Sequence, residues 1–123
     1  MRDFRKLIAW RKAHALAVCI HRIAAHADFS ATPGLRAQLL RAVDSVPANI
    51  AEGAGKPSEL DFARFVAIAL GSAREVDNHI MLASALGCID ERSGASVLAD
   101  IDEVKRILYS LSRVVRDRAQ SRR

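Results

Sequence analysis

Residues 45–53 read SVPANIAEG, a proline and a glycine set among residues that otherwise favour an amphipathic helix. Leu35, Leu39, Val43, Val46 and Ile50 recur at three- and four-residue steps and make one apolar stripe. Beside it Gln38, Arg41, Ser45, Asn49 and Glu52 keep the same period as a polar stripe. Both stripes stay in phase across Pro47. The spacing therefore predicts one kinked helix over 34–53, in preference to a break at which Pro47 opens a second short helix. A proline there removes an amide that would bond the Val43 carbonyl and crowds that carbonyl, costing about 3 kcal/mol in a plain helix interior. Such a cost calls for a packing or assembly role. Gly53 and Gly55 are expected to end the helix, since glycine tolerates the left-handed conformation of a C-terminal cap.

Working outward, Thr32 followed by Pro33 is a good cap and first-turn pair for that helix. Before it, Leu7, Trp10, Ala13, Ala17, Ile20 and Ala24 mark a helix over about 4–27, with Ile8, Leu16 and Ile23 widening its apolar arc. After it, Ser58 with Asp61 three residues on resembles a capping box and starts a helix over 59–86, which Gly87 stops. Asp90 is the candidate cap of a last helix over 91–118, whose seam is Val97, Ile101, Val104, Leu108, Leu111 and Val115. The terminal AQSRR is expected to fray. Four long helices with short connections make antiparallel neighbours. The expected fold is all-α, an up-down-up-down four-helix bundle spanning 1–123 as a single domain. If the second and third helices pair about the turn at 54–59, Arg41 comes near Ser72 and Glu75, and Glu52 near Asp61 and Arg64, as a buried ionic or hydrogen-bonded network.

Composition agrees: half the residues are hydrophobic and 5% aromatic, which suits helices more than sheets. Cys19 and Cys88 sit among apolar neighbours without a C-x-x-C spacing, and read as reduced, buried thiols of a cytoplasmic protein. No apolar run is long enough for a membrane span or a signal segment.

The net charge of +5 is concentrated at the chain ends. Arg2, Arg5, Lys6, Arg11 and Lys12 face only Asp3, and Arg113, Arg116, Arg118, Arg122 and Arg123 face only Asp117. An up-down bundle brings both ends to one pole, together with Lys56. Arg2, Arg5, Lys6, Arg113, Arg116 and Arg118 are the candidate nucleic-acid-binding residues, because a phosphate backbone is the natural partner of such a field. No aromatic cluster is evident among them in the sequence, so the expected mode is charge without base stacking.

Enzymatic readings find little support. EGAGKPS lacks the first glycine of a phosphate loop, and Pro57 stands where its hydroxyl residue belongs. His14 with His21, and Glu75 with His79, do not amount to a bundle metal site. Ser45 has no histidine near it in sequence to act as its base. No catalytic residue, metal or cofactor is therefore expected.

GLRAQLLRAVDSVPANIAEGAGK at 34–56, FARFVAIALGSAREVD at 62–77 and ALGCID at 85–90 resemble the four-helix-bundle proteins encoded in intervening sequences of bacterial 23S ribosomal RNA genes. The accessory variability determinants of diversity-generating retroelements share the pattern. Trp10, Gly34, Leu35, Gln38, Arg41, Ser45, Pro47, the run from Asn49 to Gly53, Phe65, Glu75 and Gly87 carry the likeness; Ala54 departs from it, standing where a larger residue is common. The resemblance implies a homo-oligomer, typically a pentamer, with nucleic-acid binding in some members and no catalysis. The expected partners are thus further copies of the chain, RNA or DNA, and an RNA-handling enzyme. The rival expectation is a protein scaffold that never touches nucleic acid.

Overall fold

The structure, a computed structural model, describes residues 2–121. Four helices make up almost all of it: α1 (Ile8–His26), α2 (Pro33–Ala54), α3 (Glu59–Ala85) and α4 (Glu91–Ser121). Each packs against its neighbour in chain order and α1 closes the ring on α4; α2 with α3 is the most extensive pairing and α1 with α4 the least. The fold is an all-α four-helix bundle. No helix among the described residues is long and apolar enough to cross a membrane.

On α2 and α4 the core follows the predicted stripes. Leu39, Val43, Val46 and Ile50 of α2 are buried, as are Val66, Val76 and Ile80 of α3 and Val97, Ile101, Leu108 and Val115 of α4. On α1 the buried face is Ala9, Ala13, Leu16, Ala17, Ile20 and Ala24, while Leu7 and Trp10 are only half-buried. Trp10 thus belongs to the rim of the core.

Several expectations are corrected. The first helix begins at Ile8; Phe4–Lys6 form a single 3-10 turn, and Leu7 is extended. Asp3 caps that turn, accepting a hydrogen bond from the Arg5 amide at 3.1 Å, and the extended Leu7 ends it and precedes α1. Thr32 precedes Pro33 as expected but makes no side-chain capping bond; its hydroxyl lies 3.5 Å from Cys88 Sγ. The last helix reaches Ser121, where Ser121 Oγ donates to the Arg118 carbonyl at 3.0 Å. Other caps form as read: Ser58 Oγ accepts from the Asp61 amide at 3.0 Å, and Asp90 accepts from the Ser93 amide at 2.8 Å.

The opening stretch resolves in two parts. Helix α2 runs unbroken through Pro47, so no second helix starts there. Gly53 does not end it. It lies inside the helix, and a Cβ added to it would come 2.7 Å from Phe65 Cβ and 3.0 Å from Phe62 Cδ1. Glycine is needed here for close approach of α2 to α3, not for a left-handed cap. Gly55 is right-handed, with φ −81°, and Gly87 is the residue with a positive φ, +76°, among those described.

Candidate nucleic-acid interface

Arg2 and Arg118, from the two ends of the chain, line one groove, and the candidate cations have different fates. The Arg2 amide donates to the Ala54 carbonyl at 3.0 Å, tying the N-terminal segment to the end of α2. The Arg2 guanidinium pairs with Glu59 and lies 4.4 Å over the Phe62 ring. Its charge is therefore compensated, and Arg2 serves as a structural clasp. Arg5 pairs with Asp3 at 3.0 Å and remains exposed; that hydrogen bond holds the Asp3 carboxyl below the usual carboxylate range. Lys56 reaches Glu52 at 3.3 Å and the Phe65 ring at 5.4 Å.

Lys6, Arg113, Arg116 and Arg118 are exposed, and none has a carboxylate partner among the described residues. Arg116 Nε makes only a long 3.4 Å bond to the Ser112 carbonyl one turn earlier. Arg118 and Arg106 edge a groove of about 520 Å³ between the start of α1 and the last turns of α4, whose walls include Ile8, Ile107, Leu111 and Val114. Of the remaining predicted cations, Arg122 and Arg123 lie outside the described residues.

The sequence reading missed an aromatic run at the start of the chain. Trp10 and His14, four residues apart on α1, stack with centroids 4.7 Å apart and planes at 16°. Phe4 meets the indole at 5.0 Å and 63°, edge to face. Arg11 Nε donates to the Arg5 carbonyl at 2.8 Å, bracing the 3-10 turn that carries Phe4 against α1. The i, i+4 spacing of Trp10 and His14 was a usable signal; the return of Phe4 was not, because it depends on the break at Leu7.

A second, polar groove of about 640 Å³ lies between α2 and α3, lined by Gln38, Arg41, Ser45, Ser72, Arg74, Glu75 and His79 among others. It confirms that the polar stripe meets α3. Its floor is neutral: Ser45 Oγ lies 2.8 Å from Ser72 Oγ, and Asn49 Nδ2 donates to Ser45 Oγ at 2.8 Å. The expected buried ion pair is absent from the described residues, since Arg41 and Glu75 are exposed and unpaired. Glu52 pairs with Lys56 just past the end of α2, and Arg64 with Asp61 within α3. Ser45 is hydrogen-bonded to Ser72 and Asn49 and to no histidine. His21 bonds Asp44 at 2.7 Å while His14 stacks on Trp10, so these two do not converge. No cluster of three metal-ligating side chains occurs among the described residues.

A family model described as "23S rRNA-intervening sequence protein" matches residues 5–110. The chain belongs to this family. A solved structure from Bacteroides thetaiotaomicron, described as a protein with unknown function from the S23 ribosomal protein family, is similar at TM-score 0.77 and 25% identity, over 85% of this chain and 98% of that one. No curated protein matches. The family match includes Arg5, Lys6, Trp10, His14 and the SVPANIAEG stretch, and it stops before Arg113, Arg116 and Arg118. The matched span thus holds the N-terminal candidates Arg5 and Lys6 and leaves out the candidate cations of α4.

Proposed function

We propose that the chain is a non-enzymatic, homo-oligomeric bundle module that binds nucleic acid through its basic pole, as an accessory to an RNA-handling enzyme in the cytoplasm. The observation that carries the reading is the set Lys6, Arg113, Arg116 and Arg118, four exposed cations without carboxylate partners among the described residues. Arginine and lysine left uncompensated in this way attract phosphate, and each phosphate contact releases condensed counterions. The contacts position a strand without reading its sequence.

Assembly is supported by the outer face of α3. Leu60, Ile68 and Leu82 are exposed there, and Leu86 just past its end, Ile68 at 45% and Leu86 at 54%; apolar surface of this kind is favoured between copies. The family resemblance implies five copies, and a symmetric ring would multiply the basic poles. Light scattering at micromolar concentration tests this part: a stable monomer overturns it.

The binding experiment is the joint change Arg113→Gln, Arg116→Gln and Arg118→Gln, titrated by anisotropy at two salt concentrations. Affinity should fall for every sequence tested, and the log–log salt slope should flatten by roughly 0.7–0.9 for each phosphate no longer neutralised. Absence of binding at low salt, or binding indifferent to the triple change, would move the reading to a protein scaffold. The apolar groove beside Ile8 and Val114 is the feature that favours that second reading.

A further inference from the structure

We propose that the run Phe4–Trp10–His14 is a stacking platform for an unpaired base, so that the pole prefers single-stranded nucleic acid to duplex. The inference rests on the nucleic-acid reading above and adds a mode and a strand preference to it. Three features of the site carry it. The imidazole of His14 lies nearly parallel to the indole, 16° at 4.7 Å, and His14 is exposed. An exposed ring held in this way can take a base against the face not turned to the indole. Phe4 meets the indole at 5.0 Å and 63°, which helps hold Trp10 in place under His14. Finally, Lys6 and Arg11 flank it in the chain, both exposed and without a carboxylate partner among the described residues, and the bond from Arg11 Nε to the Arg5 carbonyl at 2.8 Å fixes the turn between them.

The chemistry separates the two forms of nucleic acid. A base in a duplex has both faces covered by its neighbours, whereas a single strand can offer a π-face to a side chain at little cost. Every base has such a face, so stacking on His14 tolerates any sequence, as phosphate contacts do. A protein using charge alone would favour the denser charge of a duplex. The aromatic ladder reverses that order.

Trp10 is the single tryptophan of the chain, which makes its emission a direct report on the ladder. The test titrates the full-length protein with labelled oligothymidylate of about twenty nucleotides, longer than typical single-strand site sizes, and with a duplex of equal length. Anisotropy reads binding while Trp10 emission reads stacking. Expected are quenching by the single strand and not by the duplex, and a loss of about tenfold in single-strand affinity on His14→Ala with less than about twofold change for the duplex. His14→Phe should keep the single-strand preference and His14→Lys should not, which separates the ring from its charge. Because His14 is exposed, these variants should keep the helical circular dichroism of the parent. Single-strand binding without quenching, or an equal loss for both forms on His14→Ala, overturns the stacking platform and leaves the charge reading standing. Failure of both probes to bind at low salt ends both.

Discussion

The seam between α2 and α3 and the two seams of α4 are built from different materials. Across the first, the helices approach closely and without charge: Gly53 admits Phe62 and Phe65, and a hydroxyl pair at 2.8 Å with the Asn49 amide supplies the polar bonds. The α3–α4 seam also has a close approach, at Gly94 against Ser84, but across the others charge adds bridges nearer the surface. Lys105 reaches Asp77 of α3 at 2.7 Å, and Lys12 of α1 reaches Glu103 at 3.0 Å. Beyond these pairs, the last turns of α4 carry arginines with no carboxylate partner among the described residues. The contrast separates two tasks. Neutral, short-range packing on the α2 side sets the bundle's geometry independently of salt, whereas the α4 side keeps charge near the surface, where salt screens it and phosphate can compete for it.

The largest effects should therefore come from the α2 side. Ile50 is fully buried, and Ile50→Ala should cost about 3 kcal/mol through lost transfer energy and the cavity left behind. The matched change at the α1–α4 groove, Ile8→Ala, removes a side chain that is 56% exposed and should alter stability by no more than about 0.5 kcal/mol. Urea unfolding of both variants checks the pair; similar losses would erase the distinction.

Next in size is Gly53→Ala. The new methyl would meet Phe65 Cβ and Phe62, and the former sits near the backbone and cannot swing aside. Overpacking of this kind costs roughly 1–3 kcal/mol, opposite in sign to the gain that alanine normally brings inside a helix. A stabilised variant would show that the seam can open, and the claim of close approach would fall.

How far the chain could be read beforehand follows the same division. Helix existence, the core stripes of α2 and α4 and the Ser58 and Asp90 caps were legible, because periodicity and capping are local properties. Gly53 was misread as a terminator: a glycine required by a neighbouring helix looks, in sequence, like one required by its own backbone. The pairing of Ser45 with Ser72 was anticipated only as a region, since register depends on the exact length of the turn at 55–58. That Arg2 and Arg118 line one groove was foreseeable from topology. The diversion of Arg2 to Glu59 and Phe62 was not, nor was the return of Phe4 to Trp10, because both follow from the extended residue at Leu7.

Removing the shared hydroxyl tests the neutral seam more finely. Ser45→Ala leaves the Asn49 amide with its bond to the Ser45 carbonyl at 2.8 Å but takes away its side-chain partner and that of Ser72. A loss of about 1–2 kcal/mol is expected for groups left short of a partner in a half-buried place, and it should be the same in low and high salt. A loss that shrinks with added salt would mean that charge, from Arg41 or Glu75 at the groove's edge, contributes to this seam after all.

The smallest effect among the seam-bridging bonds belongs to Lys105 and carries its own signature in pH. The hydrogen bond to Asp77, assisted by Asp102, raises the Lys105 ammonium above its ordinary value. A group whose value is raised in the folded state contributes stability that is complete below its unfolded value, about 10.4, and is lost as pH rises through the folded value. Lys105→Met should therefore cost under about 1 kcal/mol at neutral pH, because the pair is partly solvated. The parent and the variant should begin to converge in thermal stability as pH rises past the unfolded value and meet only beyond the raised folded value, where the folded lysine has lost its proton. Added salt should narrow the neutral-pH gap in the same direction. The Ser45→Ala gap should respond to neither treatment, so measuring both variants across pH and salt places the boundary between the neutral seam and the charged ones.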